Sequence, residues 1–145
     1  MNKQQLSRTM SACSLPLLEQ IAQQITQEQQ VQVEREPQTS LIMAKAKDSV
    51  SSQPFYLGEV LVTECTISVN QKLGIGIVVG EKPLRAYCMA IIDAALNAGV
   101  PVLDRWGDRL RAEKQQLQKE HALEYARCAQ SQVHFDTMEE YNDKR

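Results

Sequence analysis

One stretch constrains this chain more than any other. From Leu84 to Ala98 the polar side chains are Arg85, Asp93 and Asn97, spaced in multiples of four and therefore on one line of a helix. Tyr87, Met89, Ile91, Ile92, Leu96 and several alanines fill the remaining positions. A helix that is apolar almost all round must be covered on more than one side. Gly80-Glu81-Lys82-Pro83 opens this helix, and Gly99 with Pro101 stops it. The 145 residues are close to the length of one ordinary domain. A sheet in so small a domain shelters one side, so the second cover must be another helix or another chain.

The segments before it supply two helices and a sheet. Leu6, Met10 and Cys13 fall at helical spacing; Ser14 followed by Leu15-Pro16 starts a second helix with the stripe Leu17, Leu18, Ile21 and Ile25. From Val31 the period changes from 3.6 to 2. Val31 and Val33 alternate with polar residues, Pro37-Gln38-Thr39-Ser40 reads as a turn, and Leu41 to Lys47 reads as a second strand. Phe55 to Val69 is the longest strand, with Leu57, Leu61, Cys65, Ile67 and Val69 on one face. A short Asn70-Gln71-Lys72 loop leads to Leu73–Val79, so the pairing is expected to be antiparallel. After the apolar helix, Asp104 caps a long polar helix to about Ser131 with the narrow stripe Trp106, Leu110, Leu117, Tyr125 and Cys128; such a helix projects or lies along a partner. The expected class is α+β: an antiparallel sheet of about four strands with N-terminal helices, an apolar packing helix and a long C-terminal helix. Residues 1–138 are expected to form a single domain, and 139–145 a polar, disordered tail.

Composition excludes several classes of function. Sixteen Lys and Arg against eighteen Asp and Glu give a net charge of -2, and no basic cluster marks a nucleic-acid face. The second helix carries Glu19 and no Lys or Arg, which argues against a helix-turn-helix reader. Aromatics are 5% of residues, too few for a base-stacking platform. No apolar run approaches the ~20 residues of a membrane span, and the N-terminus lacks a signal-peptide core, so a cytoplasmic location is expected. Cys13, Cys65, Cys88 and Cys128 are widely separated without a Cys-x-x-Cys pair, and read as buried, reduced thiols. With His121 and His134 as the only histidines, no metal site is expected.

Chemistry-bearing constellations are thin. Gly74-x-Gly76-x-x-x-Gly80 lies inside a strand rather than at a strand-to-helix turn, so these glycines are expected to admit another backbone or a ligand rather than a nucleotide phosphate. Glu59 and Glu64 stand five apart on one strand and so on opposite faces, which denies them a shared acid–base role. Arg85 and Asp93 are roughly 12 Å apart along the helix axis. No catalytic residue declares itself. Glu59, Thr63, Gly76, Gly80, Arg85, Asp93 and Trp106 are the candidates for a partner or ligand surface.

Pro54-Phe55-Tyr56-Leu57-Gly58-Glu59, continuing to Val62-Thr63-Glu64-Cys65, resembles the proline-phenylalanine-x-leucine-glycine-glutamate…valine-threonine-arginine-cysteine stretch of the PhnG family, the G subunit of the carbon–phosphorus lyase core complex. Leu73-Gly74, Val79-Gly80, Ala86 and Ile92-Asp93-Ala94 are similar to its glycine strand, glycine turn and alanine-rich helix. Val133-x-Phe135-x-Thr137-Met138 looks like its closing motif. The family's Gly-Gly-Thr-Gly loop is replaced here by Asp48-Ser49-Val50-Ser51-Ser52-Gln53, and its strand arginine by Glu64.

The resemblance implies an accessory subunit, acting with H, I and L subunits to displace adenine from MgATP with an alkylphosphonate. The product would be a ribose 1-phosphonate 5-triphosphate. It implies I-like, H-like and J-like partners in the core complex, no cofactor held by this chain alone, and MgATP as the substrate of the complex. Nucleic acid and membrane are not expected partners. The competing expectations are a homo-oligomeric interaction protein without enzymatic role, including a homodimer of the isolated chain, and an autonomous small-ligand enzyme using Arg85 and Asp93.

Overall fold

The computed structural model describes residues 3–133. All of the closing motif after Val133 and the tail at 139–145 lie outside the described residues. The chain divides into two compact units, Met1–Lys114 and Gln115–Arg145.

The first unit begins with helices α1 (Lys3–Ala12) and α2 (Leu15–Glu28), continues through strands β1 (Val31–Lys47), β2 (Pro54–Val69) and β3 (Lys72–Val79), and returns to helix in α3 (Pro83–Asn97). Helix α4 (Val102–Ala129) starts in this unit. The sheet is antiparallel with β2 central, in the order β1-β2-β3. The α+β class is as expected, but among the described residues the sheet has three strands rather than about four. The difference lies at Pro37, where the expected turn is absent and the chain runs on as one long edge strand. Register slips between Val33 and Arg35 and between Arg35 and Gln38 absorb the irregularity. Proline has no N–H to give to a ladder, and a bulged edge strand tolerates that loss.

Tight connections set the antiparallel order. Asn70 and Gln71 both take positive φ, 49° and 66°, which matches the right-handed twist of a two-residue hairpin. Between β1 and β2, Asp48 Oδ2 accepts from the Ser51 N–H and Oγ, both at 2.6 Å. Those bonds to Ser51 hold the Asp48 carboxyl below its usual range.

The apolar helix finds both of its covers within the chain. The sheet lies on one side of α3 and α2 on another. Ala86, Cys88, Met89, Ala90, Ile91, Ile92, Ala94 and Ala95 are all buried. Cys65, Ile67 and Val69 of β2 face it, and Leu18 and Ile21 of α2 complete the core. The choice between another helix and another chain is thus answered by α2.

Backbone proximity between β3 and α3 explains two glycines. A Cβ built on Gly76 would overlap the Ala86 carbonyl oxygen, and one on Gly74 would overlap the Ala94 amide nitrogen. Ala86, Ala90 and Ala94, one turn apart, present the matching small surface on α3. Three of the four thiols are buried as expected; Cys128 is exposed. Among the described residues no helix is long and apolar enough to cross a membrane.

In the second unit the described residues 115–129 are helical, with Gln116 Nε2 donating to Glu120 Oε1 at 2.8 Å. The helix ends with Ser131 Oγ donating to the Cys128 carbonyl oxygen at 2.9 Å.

Candidate functional site

The polar line on α3 serves the fold. Arg85 Nη1 donates to the carbonyl oxygens of Met10 at 2.9 Å and Cys13 at 2.8 Å, satisfying acceptors left over where α1 ends. Asp93 Oδ2 accepts from the Ile75 N–H at 3.2 Å, and Asn97 Nδ2 donates to the Leu73 carbonyl oxygen at 2.7 Å. These two side chains therefore occupy groups on the outer edge of β3, where another strand would otherwise pair. Lys3 Nζ lies 3.0 Å from Asp93 Oδ1. Arg85 and Asp93 thus point to different tasks and do not converge on one cavity.

The other sequence candidates are distributed along the same framework. Thr63 is buried, with Oγ1 donating to the Gly80 carbonyl oxygen at 2.6 Å and accepting from the Lys82 N–H at 2.9 Å. Gly80, at φ 83°, donates its N–H to the Leu61 carbonyl oxygen at 2.9 Å. Thr63 and Gly80 are therefore brought together, and they shape the turn from β3 into α3. Gly76 faces α3. Trp106 Nε1 donates to Gln24 Oε1 at 2.8 Å and Arg109 Nη1 to Gln20 Oε1 at 3.2 Å, which ties the start of α4 to α2, while the Arg109 guanidinium sits 5.1 Å from the Trp106 ring centroid within α4. Glu59 is exposed on β2, opposite Met43. Glu64 is on the other face, 3.3 Å from Arg35 Nη1.

Clefts open on this unit. One, of about 380 Å³, runs between α2 and α3, with Ala22, Cys88 and Ile91 beneath it and Glu19, Thr26, Leu84 and Tyr87 among its walls. Burial, reinforced by the Glu19 charge and opposed by Arg85, pushes the Cys88 thiol up to about 11. A thiol held neutral in this way is a poor nucleophile near pH 7. Glu19 is the single carboxylate in the wall, so the cleft lacks a general acid–base pair. The second cleft, of about 340 Å³, is lined by Gln30, Gln32, Glu34, Ser68, Gln71 and Leu73. Ser68 Oγ donates to Glu34 Oε1 at 2.6 Å within it. Among the described residues no group of three His, Cys, Asp or Glu side chains is placed to hold a metal ion.

Among the described residues, the exposed large apolar side chains are concentrated on the sheet. Strand β3 reaches only as far as Val62 of β2, where Val79 pairs. Beyond that point Leu41–Lys47 and Pro54–Leu61 pair only with each other, as a two-stranded ribbon. Leu41, Ile42, Met43, Phe55, Tyr56, Leu57 and Leu61 are all exposed there. On the part of the sheet that β3 completes, Leu73, Ile75, Ile77 and Val79 form an exposed row on the face away from α3. Leu61 shares a face with Cys65 as expected but is exposed, because α3 covers only the end of β2 that β3 flanks. The ribbon had a signal in the sequence: leucines, Phe55 and Tyr56 at adjacent positions on strands too long for one helix to shelter.

A comparison with curated proteins gives no match. The family model described as "Phosphonate metabolism protein PhnG" matches residues 1–140, nearly the whole chain. The chain belongs to the PhnG family of phosphonate metabolism.

Proposed function

We propose that this protein is an accessory subunit of the complex that displaces adenine from MgATP with an alkylphosphonate, giving ribose 1-phosphonate 5-triphosphate. Its partners in this reading are I-like, H-like and J-like subunits, and it works in the cytoplasm. MgATP is the substrate of the complex, and this chain holds no cofactor by itself. The role is indirect: it buries apolar surface on the I-like subunit and keeps that subunit in a competent conformation.

The observation that carries the reading is the uncovered apolar surface of the sheet in a chain of this family. Water-exposed leucines, isoleucines and aromatics in such density mark an interaction surface. Reconstituting the other subunits with and without this protein, and following adenine release from MgATP, tests the reading. A rate that depends on the added chain supports it; equal rates refute it. Light scattering of the isolated chain distinguishes the homo-oligomeric alternative.

A further inference from the structure

A two-stranded ribbon is at best marginally stable in water on its own. Here the ribbon formed by Leu41–Lys47 and Pro54–Leu61 has no third strand among the described residues, and residues in succession along both strands are exposed. Adjacent residues of a regularly paired strand point to opposite faces, so exposure of Phe55 (46%) and Tyr56 (62%) together, or of Leu41 (60%) and Ile42 (45%), means that both faces are open. Its seven large apolar side chains are each 41–72% exposed, a clustering that marks an interaction surface rather than scattered surface residues.

Flat apposition of a second copy covers one face of a sheet and leaves the other wet. Covering both faces requires a concave occupant. We infer that the ribbon is an arm that inserts between two apolar walls of the I-like subunit, an inference that rests on the function proposed above. The row Leu73, Ile75, Ile77 and Val79 is not part of the arm. Neither is the outer edge of β3, whose Ile75 N–H and Leu73 carbonyl are already bound by Asp93 and Asn97.

The test uses the full chain with the reconstituted I-like, H-like and J-like subunits. Leu57→Lys and Ile42→Lys place a charge on opposite faces of the arm, at exposed positions where the isolated chain should keep its wild-type melting temperature. Each is expected to weaken binding by about a hundredfold or more, because a lysine would be desolvated in an apolar wall. Hydrogen exchange of the wild-type complex supplies a second readout, with protection expected along both ribbon strands. Photo-crosslinks from positions 42 and 57 should fall on two separate segments of the partner. Wild-type affinity in either lysine variant, or protection confined to β3, overturns the arm while leaving the accessory role standing. Wild-type protein that binds none of the subunits overturns both. A dimer of the isolated chain that Leu57→Lys dissolves assigns the ribbon to a second copy and likewise overturns the inference.

Discussion

Replacing Gly76 with alanine probes the seam on which the first unit is built. The added methyl would overlap the Ala86 carbonyl oxygen and stand 2.8 Å from the Ala90 backbone nitrogen. Ordinary carbon contacts begin near 3.5 Å, so α3 must retreat from β3 by about 1.5 Å or the strand must buckle. Neither neighbour is the end of a flexible side chain; both are helix backbone, held from the far side by α2. Overpacking of this kind costs about 1–3 kcal/mol, and here the rigid environment argues for the upper end, about 3 kcal/mol. For a chain of this size that is a fall in melting temperature of about 10 °C. Gly80→Ala is the comparison: the glycine has φ 83° with nothing within 4 Å, so it carries backbone strain of about 1 kcal/mol without a clash. Urea unfolding followed by circular dichroism measures both. If Gly76→Ala loses no more stability than Gly80→Ala, the close approach of α3 to β3 is not what the glycine serves.

Three other outcomes follow from the buried groups. The Cys88 thiol, raised by burial from 9.0 to about 11, stays protonated in the folded state while the unfolded chain ionises first. The native state then binds more protons, so stability falls as pH rises from about 9 to about 11, by up to about 2–3 kcal/mol. Cys88→Ala should flatten that part of the unfolding profile, and an unchanged slope would count against it. Cys128 should react with a thiol reagent in the native protein at least a hundredfold faster than buried Cys13, Cys65 and Cys88, with all four reacting in denaturant. Arg85→Met keeps the aliphatic stem but strands the Met10 and Cys13 carbonyls, and should cost about 2 kcal/mol in urea unfolding. A cost below about 0.5 kcal/mol would show that water replaces the guanidinium there.

Local patterns were enough to reveal the helices, the antiparallel hairpins and the unusual helix at Leu84–Ala98, since 3.6- and 2-residue periods are written in neighbouring residues. Pro37 was misleading because a turn and an edge-strand bulge ask for the same residue; only pairing with β2 separates them. Gly74 and Gly76 signalled a close approach, and the fold supplied its object, the alanines of α3. The polar line Arg85, Asp93 and Asn97 was visible too, but its duties depend on where α1 and the edge of β3 arrive in space.

Membership in the family was legible from ordered motifs, whereas the location of the uncovered surface was not. The apolar helix pointed to missing shelter, yet α2 provides that shelter. The surface left wet is on the sheet, because one 15-residue helix cannot span a 16-residue strand that rises more than twice as far per residue. Sequence alone determined that this chain carries more apolar strand and helix than a single layer can cover. Tertiary structure decided which of it remains open, because burial depends on the relative reach of elements in three dimensions and not on the pattern within any one of them.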